Sequence, residues 1–293
     1  MRIVIVGAGM AAARLADGLA GHDVTVLGDE PHAPYNRILL SAVLEGTHNP
    51  DSLRLATGDV DLRVGSRVVE IHRGAQEVEL ADRSRVPYDA LVLATGSIPT
   101  LPPIRGLVRL DGRLHGRVHA FRSLDDCLRL DAAARHARSA GVVGGGLLGL
   151  QVARALSIRG LATEMVEGGD HVLRSQVDAK AGALLARDLE RLGTAVYTGA
   201  RATRLTDQGL VLDNGVTLDS DLVVLTAGGR PSTALARRAG LDVRRGVVVD
   251  HLLRTSDPRI HAIGDCAQRG DQVTGFVPPA WEQAELLARH LNG

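Results

Sequence analysis

The sequence predicts an α/β protein in which parallel sheets, covered by helices on both faces, form two domains. The chain has 293 residues, and at about 150 residues per domain this length suggests two domains. Short apolar runs alternate with segments of helical periodicity, a pattern typical of parallel sheets. One succession of strand, glycine turn, helix and second strand occurs twice, at residues 2–30 and 141–167, and this internal repeat organises the chain.

The elements follow from periodicity and composition. The predicted buried strands are residues 2–6, 23–27, 90–94, 141–143, 163–166, 222–226 and 246–249. The predicted helices are residues 10–20, 123–138, 147–158, 178–192 and 280–291. Proline-containing segments at 99–103 and 230–232 indicate linkers. We therefore expect a first domain at 1–112, a second at 113–232, and a return of 233–293 to complete the first.

Composition excludes several classes of function. The 34 basic residues balance the 34 acidic ones, so no positive field favours nucleic acid or an anionic membrane. No apolar run approaches the ~20 residues of a membrane span, and no signal peptide precedes the first strand. Two cysteines without a C-x-x-C spacing predict neither a redox dithiol nor a metal site. The expected location is the reducing cytoplasm.

The first glycine motif is Gly7-Ala8-Gly9-Met10-Ala11-Ala12, which follows the first strand and opens a helix. Gly7 permits the tight turn, Gly9 lets the backbone approach a pyrophosphate, and Ala12 allows close packing of helix and strand. The N–H groups at the start of that helix favour a phosphate. The paired strand ends in Gly28-Asp29-Glu30. Asp29 lies about 20 residues beyond the turn, as a ribose-binding acid does, and Glu30 is the second candidate.

The second glycine motif, Gly144-Gly145-Gly146-Leu147-Leu148-Gly149, matches G-x-G-x-x-G fully. Glu167 ends the paired strand, where a carboxylate accepts hydrogen bonds from the adenosine ribose and repels a 2′-phosphate. No arginine follows Glu167 directly, which favours NADH over NADPH, although Arg174 lies within reach. Two Rossmann-like motifs in one chain predict two redox dinucleotides that exchange a hydride.

Three further segments fit dinucleotide binding. Small residues follow two predicted strands, at Ala94-Thr95-Gly96 and at 226–229, and they let the backbone lie against a bound ligand. A later strand ends in Gly264-Asp265, and an aspartate there can bond a ribityl hydroxyl. The N-terminus of the last helix could stabilise negative charge on a reduced flavin.

These motifs together resemble the FAD-dependent pyridine nucleotide oxidoreductases of the glutathione-reductase-like superfamily, over about residues 1–291. Within that superfamily, the segment Pro34-Tyr35-Asn36-Arg37-Ile38-Leu39-Leu40-Ser41 is similar to the flavoprotein part of assimilatory NADH nitrite reductases and of nitrate reductase electron-transfer subunits. The resemblance implies electron transfer in nitrate assimilation through FAD and NADH, with NADPH less favoured. It also implies an iron–sulfur or nitrate/nitrite reductase partner, and a monomer or a complex with another chain.

The resemblance also implies the binding residues. The FAD set is Gly7, Gly9, Ala11, Asp29, Arg37, Val68, Ala94, Thr95, Gly96, Arg122, Asp265 and Val277. The NADH set is Gly144, Gly146, Leu148, Gly149 and Glu167. Arg37 and Arg122 are cations that could reach the FAD phosphates. No acid–base residue is implied for the hydride step.

The chain departs in two respects from the ferredoxin reductases, which are close relatives of the group that it resembles. Those reductases carry a lysine where this chain has Ala42, and a glutamate where it has Gln151. Losing both charges is self-consistent, because losing one would leave a buried charge unpaired. The chain also stops where relatives add a C-terminal interface domain, so we expect that domain to be absent.

Two other functions stay open. One is an NADH oxidase that forms hydrogen peroxide. The other is a non-catalytic regulatory subunit that binds flavin or NADH, which the absent charges at Ala42 and Gln151 would suit.

Overall fold

The computed structural model describes residues 1–293. The strands in chain order are β1 (Arg2–Val6), β2 (Asp23–Leu27), β3 (Asp61–Arg63), β4 (Val68–His72), β5 (Glu77–Leu80), β6 (Arg85–Pro87), β7 (Ala90–Leu93), β8 (Ser97–Pro99), β9 (Val118–Ala120), β10 (Ser139–Val143), β11 (Ala162–Glu167), β12 (Thr194–Thr198), β13 (Ala202–Thr206), β14 (Gly209–Leu212), β15 (Thr217–Leu218), β16 (Leu222–Leu225), β17 (Gly229–Pro231), β18 (Val247–Val249), β19 (Ile260–Ala262) and β20 (Ala267–Arg269). The α-helices are α1 (Met10–Asp17), α2 (Leu40–Glu45), α3 (Leu124–Ala134), α4 (Leu147–Ile158), α5 (Ala179–Arg191), α6 (Ala234–Arg238) and α7 (Val277–Asn292). Three short 3₁₀ helices lie at Arg37–Leu39, Pro50–Leu53 and Gly264–Cys266.

The chain divides into two units. Unit 1 comprises Met1–Asn36, Leu53–Ile98 and Arg230–Gly293, and unit 2 comprises Arg37–Ser52 and Pro99–Gly229. The first unit is therefore discontinuous, as the repeat predicts.

Unit 1 is built on a parallel sheet in the order β19-β7-β1-β2-β3. Its central strand reads Ile3-Val4-Ile5-Val6, and all four side chains are buried, as expected for a sheet covered on both faces. Helices α1 and α7 pack against each other, and the antiparallel sheet β4-β5-β6 adds its apolar face to the same core. Because β2 and β7 flank β1 on opposite sides, the strand order reverses at the end of β1, where α/β proteins bind ligands.

Unit 2 repeats this plan with the order β12-β11-β10-β16-β9, again entirely parallel. The small antiparallel sheet β13-β14-β15 packs its buried leucines into the same core. Strand β10 has β11 and β16 on its two sides, so the order reverses at the end of β10 as it does at the end of β1.

Every strand and helix predicted from the sequence is present, some with the predicted bounds and others with shifted ends. Helix α1 ends at Asp17 rather than at residue 20, because Gly18 forms its C-cap. Ser123 is the N-cap residue of helix α3 and forms a capping box with Asp126. The helix ends at Ala134 rather than at residue 138. Helix α7 begins at Val277 instead of residue 280, since prolines fit the first turn of a helix.

The unit boundaries differ from the expected domain limits in three places, the smallest being residues 230–232, which belong to unit 1. Residues 99–112 belong to unit 2, because Ile104 and Leu107 are buried in its core. Residues 37–52 also belong to unit 2, where α2 packs on α4 and Arg154 pairs with Glu45 at 2.5 Å. No helix of the structure has both the length and the apolar character required to span a membrane.

A buried histidine in unit 1 makes stability depend on pH. His261 on β19 is 3% exposed, and neither ring nitrogen has a hydrogen-bond partner. Burial lowers the pKa of His261 from 6.5 to about 4, with smaller lowering contributions from His290 and Arg254 and an opposing one from Asp250. The unfolded chain therefore binds more protons between pH 6.5 and 4, so stability falls as the pH falls through this range.

We expect this histidine to remove about 3 kcal/mol of unfolding free energy between pH 7 and pH 4. His261→Leu should flatten that part of the pH dependence, measured by urea unfolding at successive pH values. His251→Leu, a change at an exposed histidine, is the control and should retain the slope. Equal slopes in both variants would contradict the prediction.

Candidate functional site

The glycine turn of unit 1 is closed by backbone contact between two strands. Gly7 has φ +108°, and a Cβ there would lie 2.2 Å from the carbonyl oxygen of Ala94. Its N–H donates to the Leu27 oxygen at 2.8 Å. Gly7 therefore cannot carry a side chain, and the backbone of Ala94 and Thr95 lies directly against the turn.

The start of α1 has the properties of an anion-binding terminus. Gly9 is the N-cap residue, no side chain caps the helix, and no acidic residue occupies its first turn. A Cβ at Gly9 would have no heavy atom within 4 Å. The space beside the N-cap residue is thus open, and an uncapped helix N-terminus suits a phosphate group.

The end of β19 lies beside the same helix. Gly264 has φ +71°, and a Cβ there would lie 3.2 Å from the Ala11 Cβ, so both residues must be small. Gln283 of α7 holds this turn by accepting the Gly264 N–H at 2.7 Å. The next carboxylate, Asp265, accepts a hydrogen bond from Ser97 Oγ at 2.9 Å. The structure therefore brings Ala11 and Asp265 to the same end of the unit 1 sheet.

The glycine turn of unit 2 has the same construction. Gly144 has φ +114°, and a Cβ there would lie 2.7 Å from the Thr226 carbonyl oxygen. Thr226 Oγ1 donates to the Val143 or Gly144 carbonyl oxygen, both at 3.0 Å. A Cβ at Gly149 would lie 1.9 Å from the Gly144 oxygen, so the third glycine is required for α4 to pack on the turn. Gly146, the N-cap residue of α4, faces open space.

Glu167 is oriented by two backbone amides. Its Oε2 accepts the Gly145 N–H and its Oε1 accepts the Gly169 N–H, both at 2.7 Å. Arg174 Nε lies 3.8 Å from Oε1, so an arginine of the loop that follows β11 stands beside the acid. A second one, Arg201, lies 3.1 Å from a Cβ built on Gly168. Both arginines are exposed.

The acid follows the second strand at different positions in the two units. The space between the glycine turn and the end of that strand holds only one side chain. In unit 2, a Cβ at Gly145 would lie 2.8 Å from the Glu167 Cβ, so the glycine makes room for the acid. In unit 1, Ala8 occupies that space, and a Cβ at Gly28 would lie 2.8 Å from its Cβ. The strand-end position of unit 1 is therefore a glycine, and its acids come one and two residues later, beginning with Asp29.

Those two acids have different surroundings. The Asp29 side chain is 69% exposed and lies 4.0 Å from Arg67. Glu30 accepts a hydrogen bond from the buried Tyr35 hydroxyl at 2.7 Å. The hydrogen bond of Tyr35 to Glu30 was not predicted from the sequence. The chain has to turn after β2 for the Tyr35 hydroxyl to reach this carboxylate.

The other predicted residues fall into two groups. Val68 is a buried residue of the unit 1 core, and Val277 is the first residue of α7. Arg37 and Arg122 lie in unit 2, where Arg37 Nη1 donates to the Arg122 carbonyl oxygen at 3.2 Å. Unit 1 thus carries Gly7, Gly9, Ala11, Asp29, Glu30, Val68, Ala94, Thr95, Gly96, Asp265 and Val277. Unit 2 carries Arg37, Arg122, Gly144, Gly146, Leu148, Gly149 and Glu167.

The two cysteines lack the properties of nucleophiles. Both are free and buried. Burial, with a smaller contribution from the Asp131 carboxylate, raises the pKa of the Cys127 thiol to about 12. Burial also raises the pKa of the Cys266 thiol. Because the thiolate is the reactive form, neither residue suits thiol chemistry at neutral pH.

Two parallel sheets, each with a glycine turn at its topological switch point, define a protein with two dinucleotide sites. A family model described as pyridine nucleotide-disulphide oxidoreductase matches residues 1–284. The chain belongs to this family. Membership implies a flavin and a pyridine nucleotide, and the open space before Gly9 and Gly146 fits the phosphates of both groups.

Individual relatives refine the comparison. The chain is 34% identical to the nitrite reductase [NAD(P)H] of Bacillus subtilis, covering 100% of this chain and 37% of the relative. It is 36% identical to the assimilatory nitrate reductase electron transfer subunit of the same organism, covering 100% and 39%. A solved ferredoxin reductase of the CYP199A2 system from Rhodopseudomonas palustris matches with TM-score 0.92 and 30% identity, covering 100% of this chain and 76% of that one. The chain thus spans less than half the length of the two Bacillus relatives.

Proposed function

We propose that this chain is an FAD-dependent NAD(P)H oxidoreductase that delivers electrons to a separate redox protein of a nitrate- or nitrite-reducing system. The observation that carries the proposal is the glycine turn that occurs at the switch point of each sheet. The names of the two Bacillus relatives support the nitrogen-oxide system. We assign FAD to unit 1, because Asp265 at the end of β19 would suit a ribityl hydroxyl, and the nicotinamide nucleotide to unit 2.

In this proposal the chain binds and orients its cofactors, and no side chain moves a proton during hydride transfer. When bound, the nicotinamide supplies a hydride, and the flavin accepts it and passes electrons on singly. The N–H groups at the starts of α1 and α4 hold the pyrophosphates. Asp265, positioned by Ser97, would bind a ribityl hydroxyl, and Glu167 would bind the hydroxyls of the adenosine ribose.

Purified protein should be yellow, and its flavin absorbance should bleach when NADH is added without air. A protein that takes up no FAD would contradict the proposal. Rapid peroxide formation in air without a partner would instead favour the oxidase. NADH binding without bleaching would favour the regulatory subunit.

We propose NADH as the preferred nucleotide, because the carboxylate of Glu167 would repel a 2′-phosphate. The arginines near it, Arg174 and Arg201, oppose this preference, because they would attract the 2′-phosphate of NADPH. We therefore expect kcat/KM to be about tenfold higher for NADH than for NADPH, a difference of about 1.4 kcal/mol. Glu167→Ser should lower kcat/KM for NADH. The ratio of kcat/KM for NADH to kcat/KM for NADPH should therefore fall. Arg174→Ala should widen that ratio by weakening NADPH further.

Steady-state kinetics with both nucleotides measures these ratios. A Lys180→Ala variant, at an exposed cation elsewhere in unit 2, serves as the control and should leave the ratio unchanged. Preference for NADPH in the unaltered protein would contradict the assignment of Glu167.

The reducing cytoplasm is the location we propose. Two buried cysteines that form no disulfide support it, because disulfides are common in oxidising compartments and rare in the cytosol.

A further inference from the structure

A β-hairpin of unit 2, Ile104–Leu114, carries an exposed apolar tip. Val108 and Leu114 form an antiparallel bridge. The Arg109 N–H donates to the Arg113 oxygen at 2.8 Å, and the Gly112 N–H donates back to the Arg109 oxygen at 3.0 Å. Gly112 has φ +79°, a conformation that suits glycine in a tight turn. These bonds make the hairpin an ordered element.

The base of the hairpin is fixed in the core of unit 2. Ile104 is 6% exposed and Leu107 is 1% exposed. The Arg105 N–H donates to the Thr203 oxygen, and its carbonyl oxygen accepts the Leu205 N–H. The hairpin therefore presents its tip on a rigid support, which lowers the entropy lost when a partner binds.

The tip exposes two apolar side chains, and burying them against a partner would stabilise a complex. Leu110 is fully exposed, and Val108 is 45% exposed. Exposed single apolar residues are common, but here both stand on an ordered turn, on either side of Arg109 in the sequence. An apolar centre with a rim rich in arginine is the composition of protein–protein interfaces.

The hairpin also carries unpaired positive charge. Arg105, Arg109 and Arg113 are exposed, and the side chains of these three arginines form no ion pair. Arg204 is the bridge neighbour of Arg105 and is also exposed. The one acid of the turn, Asp111, accepts the Arg113 backbone N–H at 3.0 Å, and its charge offsets only one of these arginines. The local field is therefore positive and favours an acidic partner.

We propose that this hairpin docks an acidic surface of the protein that receives the electrons. The inference rests on the proposed function and names the surface of the chain and the chemistry of its partner. A single hairpin can contribute only a small contact area, and interfaces below about 1,200 Å² are typical of transient electron-transfer encounters. Leu110 inserts at the centre, and the arginines steer the acidic partner into contact.

The test uses the full chain loaded with FAD and an acidic plant-type [2Fe–2S] ferredoxin as the probe. Ferredoxin reduction by NADH is measured from low to high salt, and binding is measured by calorimetry. Reduction of menadione, an uncharged quinone, reports electron transfer that needs no docking. The test variant is Arg109→Glu with Arg113→Glu. The control is Arg187→Glu with Arg237→Glu, which makes the same charge change at two exposed positions.

We expect the hairpin variant to raise KM for ferredoxin about tenfold and to flatten its salt dependence, while menadione reduction stays unchanged. The control variant should stay within about twofold of the unaltered protein, and Leu110→Ser should weaken ferredoxin binding without changing the salt dependence. Equal effects of the two charge reversals would overturn the proposal.

Other outcomes separate the two hypotheses. If the unaltered protein reduces menadione but does not bind ferredoxin, the docking proposal fails and the proposed function stands. If NADH reduces neither acceptor, the proposed function fails. A concentration-dependent dimer in sedimentation that Leu110→Ser abolishes would assign the hairpin to a second copy of this chain and overturn the acidic partner.

Discussion

Gly9→Ala is expected to abolish stable retention of FAD while leaving the apoprotein folded, and Gly146→Ala is expected to do the same for the nicotinamide nucleotide. In the protein alone, a Cβ at either position would have no heavy atom within 4 Å. Any large effect must therefore come from a ligand that occupies this space. Because the backbone has to approach the pyrophosphate closely at this glycine, a methyl group there separates phosphate and amides.

Each variant should affect one cofactor. Gly9→Ala should release FAD on gel filtration, with a Kd raised at least about tenfold, which is about 1.4 kcal/mol. Gly146→Ala should remain yellow and show a KM for NADH raised by a similar factor. Gly74→Ala and Gly116→Ala, at two other glycines without neighbours within 4 Å, are the matched controls. Unchanged affinities in both test variants would mean that the turns do not hold these cofactors.

Gly149→Ala is expected to destabilise unit 2 severely. The new Cβ would lie 1.9 Å from the Gly144 carbonyl oxygen and 2.9 Å from Thr226 Oγ1. Backbone cannot rotate away as a side chain can, so α4 must move off the turn, and overpacking of this kind costs about 3 kcal/mol or more. Urea unfolding monitored by circular dichroism measures the loss.

The unit 1 turn provides a comparison for this variant. There the third position of the motif is already Ala12, which is fully buried, so a methyl group is accommodated at the equivalent place. Ala12→Gly should therefore cost only about 1 kcal/mol, mainly through helix propensity. A Gly149→Ala protein as stable as the unaltered chain would show that α4 can shift without loss.

Much of the fold was predictable because it depends on local pattern. The apolar run Ile3–Val6 has no polar face, which required a strand buried on both sides. Gly7 and Gly144 were recognisable because the residue after a strand must turn sharply, and both have positive φ. The position of Glu167 at the end of β11 was predictable, because the paired strand of a Rossmann-like unit is short and ends where the adenosine ribose would bind.

The choice of acids and arginines around the nucleotide sites depended on three-dimensional packing. Whether the residue after the second strand can be an acid depends on the residue of the glycine turn that faces it. In unit 1 that residue is Ala8, whose methyl group excludes a side chain at position 28. Arg174 was recognised as within reach of Glu167, but the 3.8 Å separation follows from the loop after β11. Arg201 gave no signal, because it reaches Gly168 from a different strand connection.

The sequence by itself determined the two repeated strand–turn–helix units and the residues that form their turns, because these depend on neighbours within a few residues. The tertiary structure decided which unit each connecting segment joins. Residues 37–52 follow β2 in sequence, but α2 packs on α4 of unit 2. The burial of Ile104 and Leu107 likewise assigned the segment after β8 to unit 2. Such assignments depend on which apolar surfaces meet in the folded chain, and local periodicity carries no information about that.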